Sequence, residues 1–181
     1  MIRTSVTRLL PLAALLGVTS AHAQVAPHPD VPDAIRAPAG EQLILLAHAS
    51  GSQIYVCGQG TDGKPQWTLK APEAELRDAK GTVIGHHSAG PSWRHNDGSM
   101  VTGRAVARAA APDGDAIPWL LVSVVSHEGR GVLERVTSIQ RLNTRGGQPP
   151  PAEKCDGSKQ SVESWIPYTA DYYFFAPSPA H

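Results

Sequence analysis

The sequence predicts an all-β fold, a single antiparallel β-sandwich or barrel with short helical turns. Three observations predict it. About eight or nine short segments rich in β-branched and aromatic residues follow one another, each bounded by Gly, Pro, Asn or Asp. No helical run separates them, which argues against a doubly wound parallel sheet. No internal period points to a repeat architecture.

The organisation read from the chain is a signal peptide over 1–23, an extended lead-in over 24–40, a single β domain over 41–177 and a tail over 178–181. Arg3 and Arg8 precede an apolar run over 9–18, and Ala21-His22-Ala23 offers small residues where a signal peptidase reads. Cleavage is expected before Gln24. The apolar run is too short for a membrane span, and no Cys at the cleavage site offers a lipid anchor. The expected product is exported, periplasmic or extracellular, and not inserted in a membrane. Formal charge is zero, and removal of Arg3 and Arg8 leaves two more acids than bases. No clustered basic face argues for nucleic acid. In an oxidising compartment, Cys57 and Cys155 read most simply as one disulfide. A loop of about 100 residues closed that way is worth roughly 4–5 kcal/mol in the chain-entropy model.

The elements follow in order. Residues 25–40 are Pro- and Ala-rich, with Val31 and Ile35 as docking points and His28 solvated between prolines. Residues 43–49 (LILLAHA) and 53–59 (QIYVCGQ) read as a hairpin turning at Ala49-Ser50-Gly51-Ser52, with Ile54 and Val56 on one face and Tyr55 and Cys57 on the other. A turn over 60–65 leads to a strand carrying Trp67 and Leu69. Residues 72–80 (PEAELRDAK) read as a helical turn, with Pro72 at its start and Gly81 at its end. Residues 82–86 resume as strand. In 99–111, Gly103, Ala105, Ala107 and Ala109 form a small face against Thr102, Arg104, Val106 and Arg108. Residues 112–115 turn. Residues 117–126 (IPWLLVSVVS) read as a central strand covered on both sides, with a turn over 127–131. Residues 132–143 read as strand over a competing helical spacing of Val132, Val136, Ile139 and Asn143. After GGQPPP the last strand spans 168–175.

The stretch 85–103 (GHHSAGPSWRHNDGSMVTG) concentrates site-capable side chains on turn chemistry. A ligand surface is expected over His86, Trp93, Arg94 and Asp97. The alternative is a divalent metal such as zinc on His86, His87, His95 and Asp97, since imidazole and carboxylate are its usual ligands. Adjacent His86 and His87 point to opposite faces of a strand, and no HExxH occurs, so Asn96-Asp97-Gly98 also reads as a plain β-turn. Trp93 with Pro91 suggests a sugar-stacking platform, with Trp67, Trp119 and Trp165 as further candidates, and Trp119 reads as core. Ser126-His127-Glu128 lists the residues of a triad, but triads are assembled in space, and no GxSxG occurs. Glu73, Glu75, Asp97, Asp113 and Asp115 offer carboxylates that fall mostly in turns. Gly58-Gln59-Gly60 lacks the Lys-Ser/Thr of a phosphate loop.

Several pieces read together, QIYVC (53–57), Gly85-His86, GPSW (90–93), Asp97-Gly98-Ser99, PWLL (118–121), NTRGGQPP (143–150) ahead of Cys155, and YTADYYFF (168–175). In order and spacing they resemble the secreted bacterial and fungal family catalogued as domain of unknown function 3455. The resemblance spans roughly residues 31–177. It implies a secreted single domain and a Cys57–Cys155 bridge, transfers no catalytic residue, and does not include His87 or His95 in its pattern.

No motif specifies a reaction. The expected function is a secreted or periplasmic β domain that binds a glycan, a small molecule or an envelope component without catalysis and without a cofactor. The alternatives are a metal-dependent hydrolase or oxygenase, and a structural or partner-binding protein using the 168–175 edge.

Overall fold

The computed structural model describes residues 29–179. The signal-peptide reading of 1–23 and the reading of His28 lie outside these residues. Eight antiparallel strands form a closed barrel in sequence order: β1 (Glu41–Gln59), β2 (Pro65–Arg77), β3 (Val83–Ser88), β4 (Ser92–His95), β5 (Met100–Ala109), β6 (Trp119–Glu128), β7 (Ser138–Gly146) and β8 (Glu163–Pro177). Of the two architectures the sequence allows, the chain adopts the barrel, and three short 3-10 turns are its helical content among the described residues.

The long strands β1 and β8 pair along nearly their whole length and close the ring. The predicted hairpin at 49–52 does not form. Ser50, Gly51 and Ser52 sit inside β1, paired with Glu75, Ala74 and Glu73 on one side and Thr169, Tyr168 and Pro167 on the other. Gly51 is needed there because a Cβ would lie 2.1 Å from the Glu73 carbonyl oxygen. The glycine marks a close approach of two backbones and not a turn. A bulge in the β1–β2 ladder between Ile54 and Tyr55 breaks the alternation, so Ile54, Tyr55 and Cys57 are all buried.

The helical reading of 72–80 is also replaced by strand, through Arg77. Here Ala74 and Leu76 point to the core while Glu73 and Glu75 face outward, an alternation of period two. The turn that follows is held by Asp78 Oδ1, which accepts from the Lys80 and Thr82 amides.

The strand predicted over 117–126 runs from Trp119 to Glu128 and is not doubly covered. Leu120, Val122 and Val124 pack in the barrel interior, but Val125 is 61% exposed. Residues 127 and 128 extend this strand, and His127 pairs with Val101. The small face of β5 is divided by a bulge between Ala105 and Ala107. Ala107 and Ala109 lie outside, where they receive the lead-in through Val31 and Ile35 beside Leu142 and Trp119. The Gln140 amide secures this strap by donating to the Ile35 carbonyl at 2.6 Å.

The strand predicted over 132–143 begins only at Ser138. Residues 132–135 form a turn, and Leu133 and Val136 are fully buried in the interior cluster with Val101, Ile139 and Phe174. This loop plugs one end of the barrel. At the opposite end, the Cys57–Cys155 disulfide joins the end of β1 to the β7–β8 loop, across 98 residues of sequence.

Candidate functional site

The hairpin β3–β4 carries most of the residues singled out in the sequence, and strand geometry divides them. His86 and Arg94 are cross-strand partners, and both are exposed on its outer face. His87 and Trp93 are the next pair and point into the barrel, 3% and 1% exposed. The predicted surface of His86, Trp93, Arg94 and Asp97 is therefore split between two faces. Trp93 is a wall of the lumen and not an external platform. Of the other tryptophans, Trp165 is 52% exposed, Trp119 packs beneath the lead-in, and Trp67 donates to the Pro151 carbonyl.

Asp97 is engaged in holding the plug. Its Oδ1 accepts from the Ser99 amide and hydroxyl at 2.9 and 2.6 Å, and its Oδ2 accepts from the Val132 amide at 2.8 Å. The Ser99 hydroxyl oxygen in turn accepts from the Leu133 amide. Gly131, at φ +148°, lies so close that a Cβ would meet the Asp97 carboxyl at 2.3 Å. Burial pushes the carboxyl upward, but hydrogen bonds from the Ser99 hydroxyl, the Val132 amide and the Ser99 amide hold it well below the ordinary carboxylate range. His95 Nδ1 stands 3.0 Å from Asp97 Oδ2, while His87 faces the lumen and His86 the outside. Among the described residues no group of three or more His, Cys, Asp or Glu is placed to hold a metal ion, so the set His86, His87, His95 and Asp97 is not assembled.

Ser126 and His127 do not meet as a triad. The Ser126 hydroxyl bonds Thr102, and His127 Nε2 bonds the Val136 carbonyl at 2.7 Å. Strand β8 is flanked by β1 and β7, so the 168–175 segment offers no free edge.

What the fold does create is a cavity in the lumen. Strand β3 is short and pairs with β2 only at residues 74–77, and β4 pairs with β5 only at 100–102. Beyond this hairpin β2 and β5 part, leaving an opening with Leu69, Lys70, Ala71 and Pro72 on one side, Arg104 and Ala105 on the other, and Gly90-Pro91 at its base. The cavity has a volume of ≈ 640 Å³. Its inner wall is formed by Gln53, His87, Trp93, Gly103, Leu120, Val122, Arg141 and Tyr172. Gly103 is small because a Cβ would lie 2.4 Å from Val122 Cγ1 and 3.3 Å from the Trp93 ring.

The aromatic part of the wall is closely packed. His87 stacks on Trp93 with centroids 4.5 Å apart and planes 10° apart, and both meet Tyr172 edge-on at 5.0 and 5.6 Å. His87 Nδ1 lies 2.8 Å from the Ser92 carbonyl and must donate to it, leaving Nε2 unprotonated. Burial lowers the imidazole pKa to about 3; the Ser92 bond opposes the shift and the Arg141 charge adds to it. The ring is neutral at physiological pH. Burial raises the Tyr172 and Tyr168 hydroxyls, which lie 3.5 Å apart, so both keep their protons.

Arg141 is the charged group of the inner wall. Its Nε and Nη2 both donate to the Pro118 carbonyl, at 3.2 and 2.8 Å. Opposite it on β8 stands Tyr172. Beneath the wall, Trp93 Nε1 is sealed from solvent and has no hydrogen-bond acceptor. Gln53 Nε2 is similarly sealed and completes no hydrogen bond, although Gln53 is close enough to Tyr168 to favour its ionised form slightly. Sequence reasoning missed Gln53, Arg141 and Tyr172 as site residues. Arg141 alternates with Ile139 on the inward face of β7, a position that becomes legible only once the strand's phase is known.

Fold and cavity together define a class, a small up-and-down β-barrel with a partly hollow, polar-tipped lumen. Within that class, the chain belongs to the family described as Protein of unknown function (DUF3455), matched over residues 38–176. No curated protein and no solved structure matches it.

Proposed function

We propose that the protein is an exported binding barrel that holds one small, largely apolar molecule in its lumen, without catalysis. The observation that carries this reading is the ≈ 640 Å³ cavity behind the β2–β5 opening, within the size range of small-molecule sites. Its lining matches what such sites use, an apolar and aromatic wall with a few convergent polar groups, here Gln53, Arg141 and Tyr172. An eight-stranded barrel is just wide enough either to fill with side chains or to hold one ligand. Alanine at 71 and 105 leaves room on the side of the opening. Export is supported by the signal-like residues 1–23 and by the Cys57–Cys155 disulfide.

The test is titration with N-phenyl-1-naphthylamine, whose fluorescence rises in apolar surroundings. One equivalent is expected to bind the native protein. Ala105→Trp, which places a large ring at the exposed rim, is expected to abolish binding with little change in thermal midpoint. Binding that survives both Ala105→Trp and Ala71→Trp would place the site elsewhere.

A further inference from the structure

We infer that the ligand is an amphipathic monoanion, an apolar body ending in a carboxylate, with its head group at Arg141. This rests on the lumen as the binding site and adds the charge and polarity of what enters it.

The argument is a charge balance. The cavity lining includes Lys70, Arg104 and Arg141, and no Asp or Glu. At the rim, Lys70 is paired with Glu163, and Arg104 is exposed to water. Arg141 differs from both. It is partly buried, and no carboxylate forms an ion pair with it among the described residues. Two of its five N–H groups go to a single carbonyl, that of Pro118, and the guanidinium also bonds the Tyr172 hydroxyl, so these partners are neutral acceptors that leave its charge uncompensated. A charge withdrawn from water without a counterion is costly, and a carboxylate matches the guanidinium fork in shape and sign.

The rest of the wall has the same polarity. His87 is uncharged, so it neither neutralises Arg141 nor adds a second cation. Tyr172, across the ladder from Arg141, keeps its proton, so it brings no negative charge to the guanidinium it bonds. Gln53 Nε2 and Trp93 Nε1 leave the interior with unpaired N–H groups and no acidic acceptor nearby. One uncompensated positive charge calls for one negative charge, so a carboxylate fits better than a dianionic phosphate. The remaining wall, with Pro72, Pro91, Leu120 and Val122, and with the exposed Leu69 and Val125 at its rim, would cover an alkyl chain or ring system.

The experiment is calorimetric titration of the disulfide-intact protein with decanoate, decanol and decyltrimethylammonium, which share one tail. Decanoate is expected to bind at least about tenfold more tightly than decanol, and the cation more weakly than either. Arg141→Gln is expected to bring decanoate down to the level at which the same variant binds decanol, while Arg141→Lys keeps part of the preference. Equal binding of decanoate and decanol to the native protein would overturn the inference and leave the lumen reading standing. A decanoate preference undiminished in Arg141→Gln would also overturn it and move the head group to Lys70 or Arg104. Failure of all three ligands, together with failure of N-phenyl-1-naphthylamine, would remove the lumen reading itself.

Discussion

The two halves of the barrel interior are finished in opposite ways. At the plugged end, Asp97, Ser99 and the amides of Val132 and Leu133 satisfy one another, and Leu133 and Val136 fill the space. In the half that opens between β2 and β5, space is left over, Arg141 has no carboxylate, and the N–H groups of Trp93 and Gln53 have no acceptor. A closed polar network marks a place where the sequence is spent on holding the fold. An open one, beside a cavity, marks a place where something else completes it. On this contrast Asp97 holds the fold and Arg141 is the residue we propose for binding, although the sequence draws attention to the first and hides the second.

The contrast can be sharpened through His87, which belongs to the wall of the open half but behaves as core. Its folded pKa, about 3, lies below the unfolded value of about 6.5, so between these limits the unfolded chain binds more protons. Stability from this group is therefore full above about pH 6.5 and falls, by about 1.4 kcal/mol per pH unit, as the pH drops toward 3. Denaturant midpoints measured across this range should fall less steeply for His87→Phe, which keeps a ring against Trp93. Parallel pH profiles would show that the imidazole is not buried as described.

A smaller effect separates the two halves directly. Asp97→Ala leaves the Ser99 and Val132 donors without their acceptor and should cost about 2 kcal/mol at neutral pH. Because the folded carboxyl is held below its ordinary pKa, that contribution is present above about pH 4 and is lost as the pH falls through the folded value. The gap between native and variant protein should therefore narrow in acid. Affinity for N-phenyl-1-naphthylamine should be unchanged by the substitution, and a large loss of affinity would mean that the plug and the cavity are one unit.

Much of the fold was legible because turn residues and β-branched runs act locally. The turns at 60–65 and 112–115 and the last strand follow from short-range chemistry, and the cysteine pair from its even count in an oxidising compartment. The errors have tertiary causes. Gly51 reads as a turn in isolation, and only the nearness of Glu73 and Ala74 explains a glycine in mid-strand. Glu73-Ala74-Glu75-Leu76 alternates, but Pro72 and the acids imitate a helix start. Bulges at Ile54/Tyr55 and Ala105/Ala107 reverse a face, and no residue type announces them. At the site, Trp93 was found but its direction was not, since one step along a strand exchanges lumen for solvent. Arg141 could not be found, because an arginine flanked by Gln140 and Leu142 looks like any surface position until the ladder with Tyr172 sets its phase.

The most direct test of the central claim is a methyl-resolved NMR titration of the native protein with decanoate. Binding in the lumen predicts saturable shifts of the Leu120 and Val122 methyl groups, while Val106 and Val162, exposed and outside the cavity lining, stay in place. Shifts confined to Val106 or Val162, with Leu120 and Val122 unmoved, would contradict it.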